Sequence, residues 1–365
     1  ERQSAPSRAH QVVLQEAGMP QQISLQTYLA GWCAVEAERR AVAATLLAIA
    51  DAARAIAALV ARGPIDGPPD TAVGTNVQGE TQLMLDVRAN DLMMAALRQA
   101  PVAAAASEEM ERAVALASGA PLAVAFDPLD GSSNVASNVA VGTIFSVLPA
   151  IEGTREDPDS TFLQKGSAQK AAGYVIYGPH CALVLSVGKG TQVYTLDRPT
   201  GRFLLTAACA SVPARTREYA INGSNARHWS EGIRAYVADC VAGRDGPREQ
   251  DFNTRWIASL VAEAHRILVR GGVFLYPADA RKGYLQGRLR LIYEANPVAW
   301  LIEQAGGSAM DGHRRILDVE PIALHQRTPL VFGSREEVER IARYKTHQAI
   351  GERSPLFNTR GLFGA

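Results

Sequence analysis

Asp127-Pro128-Leu129-Asp130-Gly131-Ser132-Ser133-Asn134 follows directly on an apolar run at 122–126, Leu-Ala-Val-Ala-Phe. A short strand there delivers two carboxylates, then a glycine turn, then small residues that start helices well. Hard divalent cations prefer carboxylate oxygens, and Mg²⁺ keeps coordination positions for water and phosphate. Backbone N–H groups of a Gly-Ser-Ser turn can converge on an anion. One loop can therefore hold metal through Asp127 and Asp130 and phosphate through the amides of Gly131, Ser132 and Ser133. Asp-Gly alone is ordinary turn chemistry. An EF-hand loop fails, because its third and twelfth positions fall on Leu129 and Asn138, where oxygen-rich ligands are needed. The meaning of the string rests on the acidic partners supplied elsewhere.

The 365 residues suit about two domains. Apolar residues make up 47% and charged residues 20%, the composition of a soluble globular protein with a sizeable core. Lys+Arg and Asp+Glu are 37 each, so the formal net charge is zero. There is no basic block, which argues against nucleic-acid and membrane-surface roles. No uninterrupted apolar run reaches the roughly 18 residues that span a bilayer. The first residue is Glu and nothing reads as a signal peptide, so a cytoplasmic location is expected. Cys33, Cys181, Cys209 and Cys240 are scattered without a Cys-x-x-Cys pair. Four reduced thiols are expected rather than a zinc site.

Residues 1–22 are polar and carry Pro6 and Pro20. Val42, Leu46, Ile49, Ala53, Ile56 and Val60 recur in steps of three and four, which predicts one buried helix over 34–62. A loop follows to about residue 79, then a helix from Asn90 to about Gln99. Strands are predicted at 102–106, 122–126 and 142–148, with a loop at 152–170. The runs 172–177, 182–187, 192–196 and 202–206 are spaced as an antiparallel meander. Beyond Pro213 helix and strand alternate, which predicts a mixed sheet with flanking helices. Helices are read at 226–240 and 259–270, and strands at 273–276 and 289–293. Ser334-Arg335-Glu336-Glu337 has the pattern of a capping box before the last long helix.

The eight-residue string resembles the metal-binding signature of the lithium-sensitive sugar phosphatase superfamily, and in this version class I fructose-1,6-bisphosphatase. Further matching blocks run in order along nearly the whole chain. They are Gly74-Thr75-Asn76-Val77, Leu85-Asp86-Val87, Ser107-Glu108-Glu109, Gly142-Thr143-Ile144-Phe145, Ala172-Gly173-Tyr174, His265-Arg266, residues 289–297 and His325-Gln326-Arg327. The resemblance implies a mixed α/β (α+β) fold, a five-layer α-β-α-β-α sandwich. It also implies a catalytic, metal-binding domain over residues 1–209 and a sugar-phosphate-binding domain over 210–365. Homotetramers are usual in the family.

Carried over by position, the metal ligands are Glu108, Asp127, Asp130 and Glu294 with the carbonyl of Leu129. Glu80 stands where the family has Asp, also near the metals. Two or three Mg²⁺ per subunit are implied, with Mn²⁺ able to substitute. Such a set is physically coherent, since crowded carboxylates raise one another's pKa unless cations neutralise them. Asp86 and Glu109 are implied to activate the attacking water. Arg290 matches the arginine on the 1-phosphate, where a planar fork suits bidentate contact. The 6-phosphate pocket falls on Asn222, Asn225, Arg255, Trp256 and Tyr276, with Arg255 donated by a neighbouring subunit. Arg288 replaces a lysine near the sugar. Asn225 and Trp256 stand where tyrosines are common, so two phenolic donors are lost.

The implied reaction is Mg²⁺-dependent hydrolysis of fructose 1,6-bisphosphate to fructose 6-phosphate and phosphate, as in gluconeogenesis or the Calvin cycle. The changed tyrosine positions keep sedoheptulose 1,7-bisphosphate open as a substrate. An inositol or nucleotide phosphatase of the superfamily is a more distant alternative. A non-catalytic relative would have lost ligands, yet Glu108, Glu109, Asp127, Asp130 and Glu294 are all present. AMP-responsive members seat the nucleotide phosphate at an N-terminal Gly-Thr-Gly-Glu-Met-Thr turn. The stretch near 34–44 has neither its glycines nor its threonines, so insensitivity to AMP is expected.

Overall fold

The computed structural model describes residues 23–34, 36–68, 70–75 and 81–349. The expectations for 1–22, for Glu80 and for the tail beyond 349 fall outside that set. Where one helix is predicted near the start there are two, α1 (Leu25–Cys33) and α2 (Ala37–Arg62). Helix α1 buries only Leu25 and Leu29, too few apolar positions to stand out as a period. Its start is set by Ser24, whose hydroxyl accepts from Thr27 N–H at 3.1 Å. In α2 the expected stripe is buried at Val42, Leu46, Ile49, Ala53 and Ile56 and half-buried at Val60. By length and composition the segment Ala37–Asp66 is apolar enough to cross a membrane, which counting uninterrupted runs did not reveal. Its apolar side instead packs into the core with α3 (Met84–Leu97).

Helix α3 begins six residues before Asn90. The Asp86 carboxylate accepts Leu83 N–H at 2.9 Å and caps the first turn, leaving Asn90 in the helix interior. Ahead of it, β1 (Ala72–Thr75) and β2 (Thr81–Leu83) pair antiparallel. Strand β1 lies inside the predicted loop.

Eight strands then form the first sheet. They are β3 (Val102–Ser107), β4 (Val114–Ala115), β5 (Leu122–Asp130), β6 (Val141–Pro149), β7 (Ala171–Tyr177), β8 (Cys181–Ser186), β9 (Thr191–Asp197) and β10 (Arg202–Ala210). Their order is β10-β9-β8-β7-β6-β5-β3-β4, antiparallel except for β3 against β5. The predicted meander is the β7–β10 half. Strand β5 is buried along its whole length. Leu122, Val124 and Phe126 face α1–α3, while Ala123 and Ala125 face Phe162, Ile292 and Tyr293. A strand covered on both faces reads as the continuous apolar run seen in the sequence.

The second half supplies β11 (Glu218–Ile221), α4 (Glu231–Ala242), β12 (Asn253–Thr254), α5 (Leu260–Arg270), β13 (Val273–Tyr276), β14 (Leu289–Arg290), α6 (Asn296–Gln304), β15 (Ser308–Met310), β16 (Arg327–Thr328), β17 (Leu330–Gly333) and α7 (Arg335–Ala349). A mixed five-stranded sheet has the order β12-β11-β13-β17-β15. Helices α5 and α6 fill the space between the two sheets. Helices α4 and α7 cover the outer face of the second sheet. The result is the five-layer α-β-α-β-α sandwich.

Two further expectations change. The strand predicted over 289–293 stops at Arg290, and Leu291–Ala295 forms a π-helical turn that runs into α6. All five residues of that turn are buried, so no alternation was available to tell turn from strand. The capping box at Ser334 does not close. Ser334 Oγ accepts Gly272 N–H at 3.3 Å, and the Glu337 carboxylate pairs with Arg248 (2.5 Å) and Tyr236 (3.0 Å).

Candidate active site

Asp127 and Asp130 are three residues apart, which in a regular strand would place them on opposite faces. The pairing of β5 with β6 prevents this. Asp127 lies opposite Ile144 and Asp130 opposite Gly142, so three steps on one strand match two on the other. That extra residue is a β-bulge, and it re-aims the side chains that follow. Leu129 joins Phe126 on the helix-covered side, and the two aspartates share the other. There they meet Glu294 from the π-helical turn. Carboxylate oxygens of Asp127, Asp130 and Glu294 lie within 4.8 Å of one another, and all three residues are buried.

Local hydrogen bonds hold each acid in place. Asp127 Oδ1 accepts Leu129 N–H at 2.9 Å, and Glu294 Oε2 accepts Arg290 N–H at 2.5 Å. Asp130 Oδ2 accepts Val261 N–H at 2.9 Å and the Ser259 hydroxyl at 3.1 Å. Thr143 Oγ1 donates to the Pro128 carbonyl at 2.8 Å, which fixes the bulge itself. Ser259 and Val261 were not assigned to the site from sequence, because a serine at a helix start and a backbone amide carry no distinctive pattern, and Thr143 entered only within the block Gly142-Thr143-Ile144-Phe145. A Cβ at Gly131, where φ is +74°, would lie 3.0 Å from Ser259 Cβ. Glycine is required there on both counts.

Burial dominates the electrostatics. It raises the Asp127 carboxyl well above the ordinary range, and the charges of Glu108, Asp130, Glu294 and Glu109 add to the effect. Burial pushes Glu294 up to about 8 against the opposing pull of Arg290. Asp130 is raised by burial and held back by its hydrogen bonds from Val261 and Ser259. Asp86 is pushed up to about 6 by burial. These acids need more positive charge than nearby side chains supply, and their all-oxygen donor set suits a hard divalent cation. The residues fit such an ion.

Glu108 and Glu109 sit at the end of β3, but neither belongs to the three-carboxylate group. Glu108 Oε1 meets Arg290 Nη2 at 2.8 Å, with both side chains largely buried. Arg290 is thus an interior residue facing an acid. Glu109 Oε2 accepts from Gln82 Nε2 at 2.8 Å. Gln82 was missed in sequence, where a single glutamine in a polar stretch gives no signal. Ser132 lies near enough to the Asp86 carboxylate to oppose the upward push of burial, which places the start of α3 beside the glycine turn. The amides of Ser132 and Ser133 precede the first bond of a short 3₁₀ turn, from Asn134 N–H to the Gly131 carbonyl at 2.8 Å.

A second cleft lies beside this cluster. Asn222, Asn225 and Tyr276 line it, with Trp229, Asp279 and Tyr284. Asn222 and Tyr276 emerge at the carboxyl ends of the parallel strands β11 and β13, the usual edge for ligands in α/β sheets. Arg288 donates to the Tyr284 hydroxyl and stacks 4.8 Å from its ring. Trp256, expected in this pocket, lies outside its lining, while Arg255 is expected to serve the pocket of a neighbouring subunit. Arg255 is exposed, 3.7 Å from Glu218, and does not line the cleft. Trp256 stacks on Phe274 with planes 7° apart and supports Tyr276 from behind, 6.1 Å between ring centroids.

Comparison with known proteins is concordant. Residues 33–208 match the family model described as fructose-1-6-bisphosphatase, N-terminal domain, and 212–346 match its C-terminal domain. The class 1 fructose-1,6-bisphosphatase of Rhizobium meliloti (strain 1021) is 55% identical over 346 residues, 94% of this chain and 99% of that protein. One of those of Xanthobacter autotrophicus (strain ATCC BAA-1158 / Py2) is 54% identical over 93% of this chain and 92% of that protein. Among solved structures, holo Leishmania major fructose-1,6-bisphosphatase superposes with a TM-score of 0.84 at 34% identity. That match covers 90% of this chain and 100% of the other.

Proposed function

The chain belongs to the class 1 fructose-1,6-bisphosphatase family, and we propose that its buried acids hold the divalent cations with which it removes the 1-phosphate of fructose 1,6-bisphosphate. It is a phosphoric monoester hydrolase whose products are fructose 6-phosphate and inorganic phosphate. The observation that carries the site assignment is the convergence of Asp127, Asp130 and Glu294 within 4.8 Å in a buried setting. We read residues 1–209 as the metal-binding half and 210–365 as the sugar-phosphate half, with Glu294 reaching back from the second into the first.

Asp127, Asp130 and Glu294 would hold the ions, with Glu108, Glu80 and the Leu129 carbonyl as further ligands. When bound, two or three Mg²⁺, or Mn²⁺ in their place, supply Lewis-acid charge at the phosphoryl group and make water more acidic. The chain's own groups do the rest. Glu109, fixed by Gln82, and Asp86, fixed at the start of α3, stand as proton acceptors for the attacking water. Arg290 presents a guanidinium to the reacting phosphate, and Glu108 holds it in the interior. Amides of Gly131, Ser132 and Ser133 donate to the same phosphate. Asn222, Asn225, Tyr276 and Arg288 bind the distal phosphate, which keeps the sugar in one orientation.

The exposure of Arg255 supports its donation to a neighbouring subunit in a homotetramer. A cytoplasmic enzyme acting on small phosphorylated sugars accords with the neutral charge balance. The decisive assay follows phosphate release from fructose 1,6-bisphosphate after chelation and after Mg²⁺ is restored. Sedoheptulose 1,7-bisphosphate belongs in a parallel arm. Release that is equal with and without divalent metal would overturn the site assignment.

A further inference from the structure

We infer that Tyr284 is a specificity-determining residue of this enzyme, donating its phenolic proton to the distal phosphate of the sugar bisphosphate. The inference rests on the family reading above and adds a residue that the matching motifs did not assign.

Tyr284 lines the same cleft as Asn222, Asn225 and Tyr276. Its hydroxyl is engaged by Arg288. A guanidinium has donors only, so the tyrosine oxygen must accept, and its single proton must point to another acceptor. Phosphate oxygens are the acceptors such a cleft would receive. A phenol that accepts from a cation is also polarised toward stronger donation. Tyr276, which faces the same cleft, lies within electrostatic reach of Arg288, Arg281 and Glu294. The Glu294 charge thus reaches Tyr276 on the cleft wall, in keeping with one sugar that carries two phosphates.

The loop is built to hold this ring. Arg281 stacks on one part of the Tyr284 ring at 4.0 Å and Arg288 at 4.8 Å. Arg281 is itself fixed by Asp279, 2.5 Å away. Asp279 N–H donates to the Tyr284 carbonyl at 3.2 Å, and Tyr284 N–H to the Arg281 carbonyl at 3.0 Å. Gly287, at φ +79°, packs so tightly that a Cβ would come within 2.4 Å of the Thr328–Pro329 backbone. The loop is thus pinned at its far end. Asn225 and Trp256 carry no phenol, so Tyr284 and Tyr276 are the phenols this cleft presents.

Tyr284→Phe keeps the ring and its stacking and removes only the hydroxyl, which separates recognition from loop folding. The test compares kcat/KM for fructose 1,6-bisphosphate with that for fructose 1-phosphate, which lacks the distal group. The ratio is expected to fall about tenfold, through KM rather than kcat. Calorimetry with fructose 6-phosphate on the metal-free protein is expected to show a matching loss of affinity, and Arg281→Ala a smaller loss in the same direction. An unchanged ratio in Tyr284→Phe, or an unchanged fructose 6-phosphate affinity, overturns the inference. Failure of the wild-type enzyme to release phosphate from fructose 1,6-bisphosphate with Mg²⁺ would instead sink the family reading, so the two failures are distinct.

Discussion

The Ser259 hydroxyl donates to Asp130 Oδ2 at 3.1 Å while its oxygen accepts Ala262 N–H at 3.4 Å. One side chain therefore caps α5 and orients an acid of the three-carboxylate cluster that lies 129 residues earlier. Ser259→Ala is expected to remove a cap, with a loss of about 1 kcal/mol of stability. It should also weaken divalent-metal affinity about tenfold, the usual scale for losing a partner of a ligand. Ser259→Thr should restore both. A metal titration followed by thermal shift checks this, and full metal affinity in the alanine variant counts against it.

Asp127→Asn is expected to lower turnover by at least about 100-fold with the fold intact, because an amide cannot supply the charge that holds the cations. In the metal-free protein it should be no less stable than wild type, since Asp127 is buried against four other acids. Near-normal turnover at saturating Mg²⁺ would remove Asp127 from the ligand set.

The metal-free enzyme should lose stability as pH rises. Glu294 is pushed from the ordinary 4.5 up to about 8, so the folded state binds its proton more tightly than the unfolded chain. That contribution is complete below about pH 4.5 and is lost as pH rises through about 8. Asp86 follows the same course, with its folded-state value near 6. The melting temperature of the chelated protein should therefore fall between about pH 5 and about pH 8.5. Mg²⁺ should flatten the fall, because it binds the ionised acids. A chelated protein that melts higher at pH 8 than at pH 5.5 contradicts the assignment.

Arg255→Ala should weaken substrate binding more than chemistry, because its expected contact is a non-reacting phosphate. Loss of a charge-assisted hydrogen bond is worth roughly 1.5–3 kcal/mol, or about 10- to 100-fold in KM. A loss confined to kcat is the contrary result. Mixing this variant with a catalytically dead Asp127→Asn chain should restore part of the activity if the arginine acts across subunits.

AMP should not inhibit at micromolar concentration. At the start of α2, Arg39 is committed to Glu36 at 2.9 Å and Lys170 to Glu38 at 2.7 Å. An incoming phosphate would meet two carboxylates at the helix end where an anion is otherwise favoured. Titration at near-saturating substrate decides it, and strong inhibition by micromolar AMP would show another nucleotide site.

Much of this enzyme could be read from local sequence, since a local pattern needs only neighbours to be understood. The apolar run before Asp127, the meander of β7–β10 and the stripe of α2 follow from period and composition. The order of the acidic blocks was sufficient to suggest the family. Tertiary structure alone decided how the acids meet. The parity of a strand separates Asp127 from Asp130, and only a bulge set by pairing with β6 brings them to one side. Glu294 follows a segment that reads as a strand over 289–293, and burial of the whole stretch Leu291–Ala295 in a π-helical turn is what carries it to the aspartates. Gln82 and Ser259 act through partners 27 and 129 residues away. Their side chains take on a role only when the layers close around them. Hydrogen bonds and burial between distant segments are properties of the packed core, and no window of sequence contains them.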